Sequence, residues 1–218
     1  MLILLVAGYS YGQTFQPISG TAHDFQLETF TTEICNVCHT PHGDGTVVDT
    51  GPLWNRTATL TAAFTMYPSG AGTTIDGTID AAPNAGSKLC LGCHDGTVAV
   101  DNFGGTASAT PNQFISATTF LGTNGESRLV GSGGDLSDSH PISITYTTTT
   151  ASSDGELVDP SLAGSGLTGA ASTIDGDMLF NGKVECASCH DVHGGVAGTK
   201  LLLTSNAASG LCLTCHAK

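Results

Sequence analysis

The chain is short of the residues that normally charge and fill a globular domain. Of its 218 residues only 11% are charged and 6% aromatic, with a single Trp, where soluble domains carry roughly 25% charged residues. Basic residues are scarcest: six Lys+Arg stand against 19 Asp+Glu, for a net charge of −13. No Lys/Arg cluster exists, which excludes a nucleic-acid footprint and disfavours docking to an anionic membrane surface. No apolar run reaches 18 residues, so the sequence holds no transmembrane helix. The low charge density also differs from that of a typical disordered chain. With so few aromatic side chains, this length can bury only a modest core. Something other than side chains has to complete it.

Cysteine and glycine are abundant, with 8 Cys and 29 Gly. All the cysteines fall into four copies of one pattern: Cys35-Asn-Val-Cys38-His39, Cys90-Leu-Gly-Cys93-His94, Cys186-Ala-Ser-Cys189-His190 and Cys212-Leu-Thr-Cys215-His216. C-x-x-C-H is the attachment motif of c-type haem. The two thiols form thioethers with the haem vinyl groups, and the adjacent histidine becomes the proximal iron ligand. A zinc ribbon from 186–189 with 212–215, redox C-x-x-C pairs and structural disulfides are the other readings. None of them explains a histidine directly after every second cysteine. The motifs therefore predict four covalently attached haems c, with Cys35, Cys38, Cys90, Cys93, Cys186, Cys189, Cys212 and Cys215 as thioether positions. His39, His94, His190 and His216 are the proximal ligands.

Histidine arithmetic extends the reading. Of eight His, four end the motifs and four remain: His23, His42, His140 and His193. Four spare histidines match four distal positions, and Met66 and Met178 cannot serve four irons. Bis-histidine ligation at every haem is expected. His42 follows His39 by three residues, and His193 follows His190 likewise. Two intervening residues cannot carry the chain around a porphyrin edge, so His42 and His193 must each ligate a different haem from their neighbour's. Each such segment ties two haems together. With no open iron position, the expected role is electron transfer and not catalysis.

The chain also reads as one order used twice. A leading His precedes C-x-x-C-H-x-x-H-G, followed by L-C-L-x-C-H, in units spanning about 18–105 and 135–218 of a single tetrahaem domain at 13–218. Residues 84–94 and 206–216 agree at 8 of 11 positions. The connecting lengths differ, which predicts copies that share a haem scheme more than a backbone. By this repeat, His42 is assigned to the His94 haem, His193 to the His216 haem, and His140 to the His190 or His39 haem. Residues 1–12 read as a signal-peptide remnant, with an apolar stretch and small Ser10 and Gly12 before Gln13; an ordinary apolar strand is the other reading. The Gly, Ser and Thr-rich stretches 104–139 and 145–173 predict coil. Residues 141–147 alternate as a short strand would, and short helices are expected before or across each C-x-x-C-H. Asn55-Arg-Thr57 is a glycosylation sequon, and the run Thr147–Ser153 offers hydroxyls for O-glycans.

The segments 34–43, Pro52-Leu-Trp-Asn-Arg56, 89–97, 135–142 and 184–193 resemble multihaem c-type cytochromes of the doubled C-x-x-C-H type. Size, haem number and spare histidines are similar to those of tetrahaem cytochromes that polymerise into extracellular filaments, the OmcE-like cytochrome nanowires. That resemblance implies mostly coil wrapped around four stacked haems, with short helices at the motifs and a few short strands. It implies identical subunits joined head to tail, with one haem ligated by a histidine of the neighbouring subunit. His23, in the N-terminal arm, is the candidate for that role. It also implies a secreted protein at the cell surface or in an extracellular filament, passing electrons to other redox proteins or extracellular acceptors. A monomeric periplasmic tetrahaem shuttle is the first alternative and a multihaem reductase the second.

Overall fold

Little of the described chain forms regular structure, as its Gly, Ser and Thr content leads one to expect. The computed structural model describes residues 16–42, 53–68, 73–104, 113–122, 125–167 and 172–217. The expected signal-peptide remnant at 1–12 lies outside these residues. The described chain is mostly coil, with four short helices: α1 (Ala85–His94), α2 (Thr148–Asp154), α3 (Ile174–Asp177) and α4 (Gly210–Cys215). Two two-residue strands, β1 (Ile144–Thr145) and β2 (Lys183–Val184), pair antiparallel with Ile144 opposite Val184. β1 lies inside the stretch whose alternation predicted a strand.

Helix formation at the motifs is uneven. α1 carries the second motif and α4 most of the fourth, whereas the third sits on a single 3-10 turn, Cys186–Ser188. The first is a turn in which the Cys38 and His39 amides donate to the Cys35 carbonyl at 3.1 and 2.8 Å. The expected helix therefore shrinks to one turn at motifs one and three. There the histidine is drawn straight into pairing with an extended segment.

The Thr-rich run departs from the coil expected over 145–173, because α2 forms within it. Thr147 caps the helix, its hydroxyl accepting from the Thr150 amide at 3.3 Å, which satisfies an N-terminal donor. Gly155, at φ +73°, supplies the left-handed residue that ends it. Ala151 of α2 then packs with Tyr146, Ile174 and Met178 in the apolar cluster that gathers α2, α3 and α4. Tyr146 Oη donates to the Val158 carbonyl at 2.7 Å, with the Cys215 carbonyl at 3.3 Å. Met178 is enclosed in this cluster.

The two halves are knitted at β1. Thr145 donates to Thr78 and Asp80 to Ser143 at 2.8 and 3.0 Å, so residues 78–80 flank the side of β1 opposite β2. Lys183 Nζ reaches Asp80 at 2.5 Å. Beside it, the buried Glu185 accepts from Asn84 Nδ2 (2.7 Å), Ser87 Oγ (2.5 Å) and Ser143 Oγ (3.0 Å). The Cys186 amide donates back to Ser87 Oγ at 3.2 Å. α1, with the second motif, is thereby latched to the turn bearing the third.

Candidate functional site

Motifs one and three share a backbone design. After the first, Thr40 donates to Leu53 and Asn55 to Cys38, at 2.8 and 2.9 Å; after the third, Asp191 donates to Leu201 and Leu203 to Cys189, at 2.8 and 2.9 Å. His39 bridges to Trp54 and His190 to Leu202. Leu53 and Leu201 both adopt left-handed backbone, φ +52° and +56°, a conformation a branched side chain rarely takes. The copies thus share more backbone here than their unequal spacings led us to expect. Motifs two and four diverge despite their near-identical sequence. Lys88 in α1 is Gly210 in the other copy, and the chain there kinks through Ala208 and Ser209 at φ +51° and +63° before α4 begins. Ser87, which bonds Glu185, corresponds to the exposed Ser209.

None of the eight cysteines is in a disulfide. The Cys90 and Cys186 thiols perturb one another across the α1 latch, so the second and third motifs are neighbours. Burial pushes the Cys38 and Cys215 thiols up to about 11, which makes them unreactive as bare thiolates. Among the described residues no three His, Cys, Asp or Glu side chains converge as the shell of a metal ion. That argues against the zinc ribbon, whose four cysteines are all described. The donor set instead fits covalent haem: paired thiols, an adjacent imidazole, and a polypeptide whose own apolar core is confined to a few side chains.

The histidines meet in two pairs. The His23 and His94 ring centres lie 6.1 Å apart with planes at 49°, and those of His39 and His193 lie 6.0 Å apart at 21°. These are not the expected pairs, which joined His42 to His94 and His193 to His216. Nor is His23 in a detached arm: its segment is anchored by the Gln16 amide on the Gly195 carbonyl at 3.0 Å. Burial, then the neighbouring His94, Arg128, His190 and His193, lower the His23 pKa to about 4, keeping the ring neutral. Three rings are oriented through Nδ1 toward backbone carbonyls: His94 to Arg128 and His190 to Lys200, each at 2.9 Å, and His140 to Pro141 at 3.0 Å. That contact sets the tautomer and leaves Nε2 available to a metal. His42, His140 and His216 are exposed, as His190 and His193 are, and the structure brings none of those three against another histidine ring.

Two features escaped the sequence reading. Arg56 is buried, its guanidinium donating to the carbonyls of Ala99 (2.5 Å), Val37 (3.4 Å) and Val100 (3.4 Å), while Nε lacks a partner. No ion pair involves it among the described residues, and its charge acts on both Cys38 and Cys93. It staples the first motif to the loop after the second. The only available signal was its place in the Pro52–Arg56 stretch. Beside it, Trp54 packs edge-on to His39 with ring centres 6.1 Å apart, its indole N–H enclosed and unpartnered. Glu185 had only its place in the 184–193 segment as a signal. The sequon expectation is not supported by the fold: Asn55 Nδ2, the atom a glycan would occupy, donates to the Asn36 carbonyl at 2.5 Å.

Residues 179–218 match the doubled CXXCH motif family. The match covers the third and fourth motifs and supports a protein like the multihaem c-type cytochromes, with covalent c-type haem implied by the motif. A search of curated proteins finds no match. Among the described residues no helix is long and apolar enough to cross a membrane.

Proposed function

We propose that the chain carries electrons through four covalently attached haems c, each held between two histidines. The observation that carries this reading is the complete absorption of the cysteines into four C-x-x-C-H motifs with four histidines to spare. Bound haem supplies a one-electron couple. The chain's own residues do the rest. Cys35/Cys38, Cys90/Cys93, Cys186/Cys189 and Cys212/Cys215 would fix the groups covalently, so a thin coil shell need not retain them by packing. His39, His94, His190 and His216 would hold the proximal side, and His23, His42, His140 and His193 the distal side. Backbone carbonyls such as those of Arg128 and Lys200 orient the imidazoles. With both axial positions filled, no site for substrate is left, and the protein is not an enzyme on this reading.

We further propose a secreted protein working as the subunit of an extracellular filament for long-range electron transport, with identical subunits head to tail. The resemblance of the motifs and their flanks to filament-forming tetrahaem cytochromes supports this, as does the scarcity of the Lys that soluble shuttles use to dock partners. A monomeric periplasmic shuttle remains the competing use of the same haems. Intact mass of the protein matured in a host with haem-attachment machinery tests the haem number: four covalent haems are expected. Purely low-spin ferric spectra are expected, and a high-spin component in the wild-type protein would favour the reductase alternative. Negative-stain imaging separates filament from a persistent monomer.

A further inference from the structure

Given the haem reading above, on which this rests, we infer that one chain completes two of its own axial sets, His94 with His23 and His39 with His193. An imidazole nitrogen sits about 2.0–2.1 Å from a metal it ligates and its ring centre about 1.1 Å beyond that nitrogen, so two imidazoles on opposite sides of one metal have centres about 6.2 Å apart. The observed separations are 6.1 and 6.0 Å. The inter-planar angles of 49° and 21° are both permitted, because trans imidazoles rotate freely about their shared nitrogen–metal–nitrogen axis. Aromatic packing also gives such distances, as between His39 and Trp54. The composition of the pairs is what packing does not explain: each joins a histidine that ends a motif to one of the four that do not. His94 is further committed by its Nδ1 contact with Arg128 O.

The pairing makes the first three motifs one interlocked unit. His193, three residues after the third motif, serves the first, and His23 serves the second from a segment anchored at Gly195. Motifs one and three share their backbone pairing, so a reciprocal reach by His42 to the His190 position follows from the repeat. His140 is then left for His216. This order replaces the assignments of His42 to His94 and of His193 to His216, and it takes His23 out of the role of ligand to a neighbouring subunit.

The test uses the matured four-haem protein, with covalent haem counted by mass and ligation by low- and high-spin ferric EPR. His23→Ala and His193→Ala should each convert one haem to high-spin. In a chain lacking the second attachment pair (Cys90→Ala/Cys93→Ala), adding His23→Ala should produce no new high-spin haem. The same should hold for His193→Ala in a chain lacking the first pair (Cys35→Ala/Cys38→Ala). A new high-spin haem in either background overturns that pair. Should the three-haem chains not accumulate, the double variant His39→Met/His193→Met in the four-haem protein decides the same point. Retention of three bis-histidine signals supports the pairing, and retention of two overturns it. A wild-type protein with fewer than four haems, or without low-spin haem, would count against the proposed function itself and so remains distinguishable.

Discussion

Ser87 Oγ donates to the buried Glu185 carboxylate at 2.5 Å, although the two residues belong to different halves of the chain. Among the described residues Glu185 is in no ion pair, and it is satisfied by neutral donors from Asn84, Ser87 and Ser143. Glu185→Ala would leave three donors unpaired in a closed interface. The expected cost is about 3 kcal/mol, read as a lower denaturant midpoint with unchanged haem content. Ser87→Ala should cost less, about 1–2 kcal/mol, because the other two donors still hold the carboxylate.

Arg56 combines a fixed charge with three carbonyl contacts, and the two contributions can be separated. Arg56→Lys keeps the charge and loses the forked donation; Arg56→Met loses both. Both variants should lower the thermal midpoint. Only Arg56→Met should also lower the reduction potentials of the haems at the first and second motifs, because a nearby positive charge disfavours the oxidised iron. Redox titration of the two variants against wild type checks this. Equal potentials in all three would show Arg56 to be a staple only.

Gly195 is required by close approach. A Cβ there would lie 2.5 Å from backbone atoms of Leu201, in the segment that pairs with the third motif. Gly195→Ala should therefore destabilise by about 3 kcal/mol or more. Gly198 sits at φ +77° with open space around it, so Gly198→Ala should cost only about 1 kcal/mol, from backbone strain alone. Urea denaturation of both variants makes the comparison.

The attachment chemistry was legible in the sequence because it is local: each motif keeps its cysteines and histidine within five consecutive residues. The coil-rich fold and β1 were legible for the same reason. Which histidine rings lie together was not. Spacing shows only that His42 and His193 must avoid their neighbours' haems, and the choice among the rest depends on how 16–42 packs against 193–203. α2 was hidden by the poor helix propensity of threonine; the Thr147 cap, the Gly155 stop and a buried Ala151 overrode it. Glu185 and Arg56 look like ordinary surface charges until the fold buries them.

Asp80 and Lys183 give acid sensitivity to the seam between the halves. The Lys183 ammonium holds the Asp80 carboxyl below its ordinary value. A carboxyl with a depressed folded-state pKa stabilises the fold above its unfolded value, about 3.9. That contribution is lost as pH falls through the folded value. The pair is partly exposed, so it is worth at most about 1 kcal/mol. Lys183→Met should lower stability by that amount at pH 7 and by almost nothing at pH 2, in denaturation curves taken at both.

The location of His23 changes which variant should break an assembly. Its Nδ1 is enclosed, its ring packs beside Phe25 and His94, and its segment is tied to Gly195. A ligand passed to a neighbouring subunit has to project from the surface, since open head-to-tail contacts join two different exposed faces. His42 and His140 are exposed; His23 is not in that position. In a polymerising protein, His23→Ala should leave particle length unchanged while one haem per chain turns high-spin. His140→Ala should shorten or abolish the polymer. Size-exclusion chromatography and negative-stain imaging read the length and EPR reads the spin state. Monomers from His23→Ala alone would return that histidine to the subunit interface.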